Sequence, residues 1–211
     1  MKQLCGVSEV GLIDYGAGNI QSLSNAIEHI GARVHLVREA KVISGMTHLV
    51  LPGVGAFGFC ADRLRATGML PALEDWVFSQ RRPVLGICVG MQLLADFSEE
   101  LGRQAGLGWV GGSVRKLHST GADIRIPHVG WNSVSFEEDF GEYQQGSQSD
   151  FYFDHSYAYH EPRNGRILAR CTHGQTFSAA VRCENIVGVQ FHPEKSQASG
   201  LQFLRSFLAM Q

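Results

Sequence analysis

Cys88 has glycine at both second neighbours, in the run Gly86-Ile87-Cys88-Val89-Gly90. Residues 83–87 ahead of it read as a short buried strand, and residues 91–97 behind it as the first turns of a helix. A nucleophile at such a junction is the cysteine form of a strand-to-helix elbow, a turn too tight to admit bulky side chains beside it. The unpaired N–H groups of the helix start would face the sulfur and favour thiolate over thiol. The chemistry this predicts is nucleophilic attack on an acyl carbon, with Cys88 as nucleophile.

Such a nucleophile works with a general base, and the base with a partner that holds its tautomer. Val187-Gly188-Val189-Gln190-Phe191 is patterned as a buried strand and runs directly into His192-Pro193-Glu194. Proline cannot continue a central ladder, so His192 is expected where that strand leaves the sheet. Strand ends near the switch point of an open α/β sheet are where sites form. Glu194 then reaches back to Nδ1 of His192 and leaves Nε2 facing Cys88. Taken alone, His192 reads as an ordinary strand-end histidine beside a solvated carboxylate. With an independent elbow in the same chain, the reading turns to a Cys88–His192–Glu194 triad.

Acyl transfer also needs donors for the developing oxyanion. The backbone N–H of Val89 is one, and Gly53 or Val54 in the loop Pro52-Gly53-Val54-Gly55 offers a second. The simpler reading of that loop is a connecting turn. It also holds a rival motif, because Gly53-Val54-Gly55-Ala56-Phe57-Gly58 matches G-x-G-x-x-G, with the acidic pair Glu74 and Asp75 further on. That would make the chain a nucleotide-binding regulator. Against it, the acidic pair lies in a helical pattern, whereas a ribose-binding carboxylate ends a strand. A cysteine hydrolase or peptidase with the same elbow is a third possibility.

His118, His128, His155, His160 and His173 show no metal-type spacing, and Cys171 and His173 alone make no site, so neither metal nor cofactor is expected. Trp131, Tyr152, Tyr157 and Tyr159 read as core or interface aromatics, since no basic residues interleave with them as in a nucleic-acid platform.

The elements that must position these residues come from a chain of 211 residues, 44% hydrophobic and 18% charged, with a formal charge of -2. That balance gives no reason to expect nucleic acid or an anionic membrane as partner. No apolar stretch is long enough to span a bilayer, and residues 1–9 lack the apolar segment of a signal peptide. The five cysteines (Cys5, Cys60, Cys88, Cys171, Cys183) are odd in number and scattered, which suits a reducing, cytoplasmic setting. Strands are expected at 10–14, 34–37 and 48–51, and helices at 19–30 and 70–79. From about residue 108 the pattern changes to short strands at 110–117, 129–136, 151–159, 167–171, 177–182 and 186–191, with a surface loop at 137–149 and a closing helix at 201–210. The fold class is α/β: a mainly parallel central sheet flanked by helices, with additional antiparallel strands in the C-terminal half, in a single domain over 1–211.

Several runs then carry a resemblance. Asp14-Tyr15-Gly16-Ala17-Gly18-Asn19, the 52–58 loop, the 86–94 elbow, Pro127-His128-Val129-Gly130-Trp131-Asn132, His155-Ser156-Tyr157 and the 188–196 run occur in order along nearly the whole chain. Together they resemble the class I glutamine amidotransferases. The resemblance implies that L-glutamine is hydrolysed to glutamate and ammonia through a γ-glutamyl thioester on Cys88. It implies that ammonia passes to a HisF-type (β/α)8-barrel cyclase subunit in a heterodimer of histidine biosynthesis. It assigns Gln92 and Glu100 to the α-amino and α-carboxyl end of glutamine, beside Gly55 and the backbone of His155, Ser156 and Tyr157. Asn19, Tyr152 and Lys195 fall on the cyclase-facing side, and the oxyanion hole is completed by rotation of the Gly53-Val54 peptide. Asp154 and Ala17 depart from the usual pattern, which leaves room for a relative serving another synthase, such as one that amidinates cell-surface sugars.

Overall fold

The N-terminal half alternates strand and helix, as its apolar pattern predicts. In the computed structural model, which describes residues 6–119, 124–160 and 166–211, β1 (Glu9–Ile13) leads to α1 (Ile20–His29), β2 (Arg33–Val37) and β3 (His48–Leu51). Cys5 and the first part of the 1–9 segment lie outside the described residues. The chain continues through α2 (Phe57–Ala66), α3 (Leu70–Glu74), β4 (Val84–Ile87) and α4 (Val89–Gln92). β2, β1, β3 and β4 lie side by side in parallel. Every residue of β3 and β4 is buried, as befits parallel strands covered on both faces.

The second half is a run of strands: β5 (Phe97–Ser98), β6 (Gln104–Ala105), β7 (Ser113–Lys116), β8 (His128–Phe136), β9 (Gln148–His155), β10 (Tyr157–His160), β11 (Arg166–His173), β12 (Gln175–Cys183) and β13 (Ile186–Val189). α5 (Gln197–Leu208) closes the chain. β13 pairs in parallel with β4 on one side and antiparallel with β12 on the other, so it joins the two halves into one sheet. The sheet runs from β12 through β10 and β7 to β5 and β6, while β11, β8 and β9 branch from β12. The fold class is the expected mixed α/β sheet with its antiparallel extension.

Five points of the local reading need correction. The helix placed at 91–97 is the four-residue α4, which begins immediately after Cys88. It stops because the carbonyls of Leu93, Leu94 and Ala95 accept from the N–H groups of Leu107, Val110 and Gly108 instead of from a continuing helix. α2 went unforeseen, because its first turn, Phe57-Gly58-Phe59-Cys60, carries no N-cap side chain to announce it. The strand placed at 151–159 breaks at Ser156 into β9 and β10, and the helix at 70–79 divides into α3 and a π turn, Asp75–Ser79. The 137–149 segment is more than a surface loop. Phe140 and Tyr143 are buried within it, with Phe140 at 4.9 Å and Tyr143 at 6.1 Å from the Phe203 ring on α5.

The core that matters most to the site is aromatic. Phe191, just past β13, stacks on Phe151 of β9 at 4.0 Å and meets Phe203 edge-on at 5.3 Å. Removing such a ring typically costs about 3–5 kcal/mol. It anchors the segment that leads from the sheet into His192.

Candidate active site

β4 and β13 end together, with Ile87 in register with Val189. Cys88 is therefore one residue past one strand end and His192 three past the other, in the crevice at the C-terminal ends of parallel strands. The Cys88 N–H donates to the Val189 carbonyl at 2.8 Å, and the Cys88 carbonyl accepts from Gln92 N–H at 3.1 Å, so the last bond of the strand and the first of α4 meet at one residue. Cys88 itself stands at φ 54, ψ -113, a conformation that L residues resist and that the surroundings must impose. Gly90 makes the turn possible: a Cβ there would lie 1.9 Å from the Leu51 carbonyl oxygen.

His192 is buried, and its Nδ1 lies 2.9 Å from Oε1 of Glu194, whose side chain has no exposure. Oε1 also accepts from Nδ2 of Asn19 at 3.3 Å. Ser196 Oγ donates to the His192 carbonyl at 2.6 Å and accepts from Tyr152 N–H at 2.9 Å, while His192 N–H donates to the Tyr152 carbonyl at 2.9 Å. This small web fastens the His-Pro-Glu turn to β9. Burial by itself would lower the basicity of His192. The hydrogen bonds to Cys88 and Glu194 and the charges of both outweigh it, and hold the imidazole up to about 10.

The candidate oxyanion donor beside Cys88 is occupied. Val89 N–H donates to the Gly53 carbonyl at 3.3 Å, so this loop presents an acceptor to the donor beside the nucleophile. The loop is pinned from beneath by Tyr15 Oη, which donates to the Pro52 carbonyl at 2.6 Å. Gly53 packs directly on the elbow, where a Cβ would stand 2.6 Å from Gly90 N.

A cleft of about 350 Å³ opens above Cys88. Of the residues assigned to it from sequence, Val54, Gly55, Cys88, Val89, Gln92, Glu100, His155, Ser156, Tyr157 and His192 line it, and Lys195, Asp154 and Pro127 join them. Gly53 and Glu194 stand behind its walls. Gln92 is buried, and its Nε2 donates to the Tyr157 carbonyl and to Oε1 of Gln190, each at 3.0 Å. Glu100 Oε2 accepts from Phe57 N–H at 2.7 Å, which caps the α2 N-terminus from a distant part of the chain. That bond also weighs against the nucleotide reading of the 53–58 loop, since a carboxylate already occupies the place where a phosphate would sit. Glu74 and Asp75 end α3 and start the π turn, and neither terminates a strand.

Of the three residues assigned to the cyclase-facing side, Lys195 lines the cleft and sits over Tyr152, while Asn19 bonds Glu194. Lys195 Nζ lies 5.4 Å from the Tyr152 ring centroid, and Tyr152 pairs across the sheet with Trp131, a residue 48% exposed. Val54 and Val129 are exposed as well. Among the described residues, no cluster of three or more His, Cys, Asp or Glu is arranged to hold a metal ion.

Two residues at the site escaped the sequence reading. Gln190 and Ser196 are both buried, Gln190 bonded to Cys88 Sγ and Ser196 to the His192 carbonyl. Gln190 had a signal, as a polar residue in an otherwise apolar strand pattern; Ser196 had none.

Known proteins resemble this chain over nearly its whole length. The family model described as glutamine amidotransferase class-I matches residues 11–210. The imidazole glycerol phosphate synthase subunit HisH of Zymomonas mobilis is 47% identical over 205 residues, covering 95% of each chain. Its namesake from Rhodospirillum rubrum is 42% identical over 208 residues, covering 94% of this chain and 97% of the relative. Among solved structures, a glutamine amidotransferase superposes with a TM-score of 0.74 at 20% identity, covering 94% of this chain and 96% of that one. The chain belongs to the class I glutamine amidotransferase family, in the branch of the imidazole glycerol phosphate synthase HisH subunits.

Proposed function

We propose that this chain, acting as a single glutaminase domain over residues 1–211, hydrolyses L-glutamine and passes the ammonia to a HisF-type (β/α)8 cyclase. The observation that carries the reading is the line from Cys88 to His192 to Glu194 across the ends of two neighbouring parallel strands. His192 takes the Cys88 proton, and the thiolate attacks Cδ of glutamine. The tetrahedral intermediate collapses to a γ-glutamyl thioester as His192 gives its proton to the departing ammonia. Water, deprotonated by His192, then attacks the thioester, releases glutamate and restores the thiol. Glu194 holds the imidazole tautomer throughout.

Both amide hydrogens of Gln92 are committed to protein acceptors, which leaves its carbonyl oxygen to accept from the substrate ammonium. Glu100 offers a carboxylate to the same end, and the backbone of 155–157 completes the grip. Turning the Gly53-Val54 peptide would release Val89 N–H and deliver Val54 N–H in one movement, so the oxyanion hole would form on demand. The exposed Val54, Val129 and Trp131, with Asn19, Tyr152 and Lys195, supply the docking face for the cyclase. The cyclase would use the ammonia to form imidazole glycerol phosphate and the aminoimidazole carboxamide ribotide, in the cytoplasm and without a cofactor on this subunit. Free ammonia is protonated at neutral pH, which is the chemical reason for sheltered transfer.

The test is glutamate release from glutamine by the chain alone, then mixed with a HisF-type cyclase and its ribulosyl ligand. Slow turnover alone and a large rise in the mixture is the expected result. Turnover indifferent to the cyclase redirects the partnership to another synthase, and no turnover in either case removes the reading.

A further inference from the structure

We propose that Gln190 is a catalytic residue of this site, donating a hydrogen bond that stabilises the Cys88 thiolate, with Gln92 as the positioning residue that fixes its orientation. The catalytic part of this inference rests on the glutaminase reading above. Gln190 directly follows β13 and is wholly buried. A buried amide must find partners for both its ends. Its Oε1 accepts from Gln92 Nε2 at 3.0 Å, and its Nε2 lies 3.7 Å from Cys88 Sγ.

Which way each amide points follows from the bonding pattern. The Tyr157 carbonyl can only accept, so the group Gln92 turns toward it at 3.0 Å is its NH2. The second hydrogen of that NH2 goes to Gln190, so the atom of Gln190 facing Gln92 is its oxygen. Gln190 must then present its NH2 to the sulfur. The polarity of the whole chain is thus set by one backbone carbonyl and ends as a donor at the nucleophile. A donor there favours the anion over the neutral thiol. The alternation of β13 places Gly188 and Gln190 on one face, and a Cβ on Gly188 would stand 2.7 Å from Met91 Cγ, so its absence lets α4 lie close enough for Gln92 to reach.

Other titratable groups also face this sulfur or its cleft: His192 with Glu194 behind it, Tyr15 from the end of β1, Cys60 from α2, Glu100, and Asp154, His155 and Lys195 across the opening. Substitution at Gln190 leaves all of them in place. Its effect on Cys88 is therefore separable from theirs.

The experiment is the pH dependence of Cys88 alkylation by iodoacetamide, followed by peptide mass spectrometry, in the wild-type chain and in Gln190→Met and Gln190→Glu. A hydrogen bond to a charged group is worth roughly 10- to 100-fold, so the midpoint should rise by about one to two pH units in Gln190→Met, and further in Gln190→Glu. In the same variant, glutamine kcat should fall about 10- to 100-fold with KM little changed. Midpoints that superimpose in a folded variant overturn the proposal. A wild-type chain without glutaminase activity whose alkylation midpoint still moves on substitution sinks the functional reading and supports the thiolate contact. Should the variants fail to fold, the side-chain amide resonances of Gln190 in the wild-type chain decide: they should titrate with the alkylation midpoint, and their indifference to it overturns the proposal.

Discussion

Val89 N–H is bonded to the Gly53 carbonyl, 3.3 Å away. The donor next to the nucleophile is therefore occupied by the very loop expected to supply the second donor. In this conformation Cys88 and His192 stand together while the Val89 N–H is turned to the Gly53 carbonyl. Rotation of the peptide between Gly53 and Val54 would move this acceptor and the Val54 N–H together. Gly53→Ala puts a Cβ 2.6 Å from Gly90 N, against backbone that has little room to yield. We expect a loss of about 1–3 kcal/mol in urea unfolding and a fall in glutaminase activity. Wild-type stability together with wild-type activity would show that the loop does not bear on the elbow.

Cys88→Ala should abolish glutamine use and leave synthesis from added ammonium salts by the complex intact. It should also lower the titration midpoint of His192, because the hydrogen bond and charge of Cys88 are among the causes that raise it to about 10. The sign follows from linkage. The stability that the raised His192 contributes is complete below about pH 6.5 and is lost as pH climbs through about 10. Histidine NMR of both proteins reads the shift directly, and an unmoved midpoint would mean the two groups are not coupled.

His192→Ala should slow thioester formation by roughly 10⁴-fold, the scale seen when one member of such a unit is removed. Rapid-quench detection of the acyl-enzyme measures it. An effect below about tenfold takes His192 out of the mechanism.

Glu100→Ala removes the carboxylate that caps α2 through Phe57 N–H. We expect about 1 kcal/mol less stability and a higher KM for glutamine, since the same carboxylate lines the cleft. A change in KM with no change in thermal midpoint would assign Glu100 to substrate alone.

His128 and His155 form a neutral buried pair, Nδ1 to Nε2 at 3.0 Å, with His155 Nδ1 donating to the Tyr157 carbonyl at 2.8 Å. Desolvation depresses both, His128 to about 3 and His155 to about 4. The stability they provide is complete above about pH 6.5 and is lost as pH falls from there through those values. Urea midpoints measured between pH 7.5 and 4.5, on the order of the range this linkage spans, should drop steeply in wild type and less so in His128→Gln. Equal slopes would place the acid sensitivity elsewhere.

The fold class, the mainly parallel character of the first half, and Cys88, His192 and Glu194 as candidates were legible in the chain. These rest on local signals: apolar runs, glycines at a tight turn, and a proline that ends a strand. Tertiary structure decided what those residues touch. The pairing of β4 with β13, about a hundred residues apart in sequence, brings Cys88 beside His192, and no local pattern encodes that register. The early end of α4 was set by carbonyls claimed by residues 107–110, and the cap of α2 by a carboxylate from residue 100. The direction of the Gly53 carbonyl was likewise invisible in the chain, which showed Gln190 only as a polar residue in an apolar strand and not its contact with Cys88. Hydrogen-bond polarity is settled by which partner is near, and only the folded sheet brings those partners together.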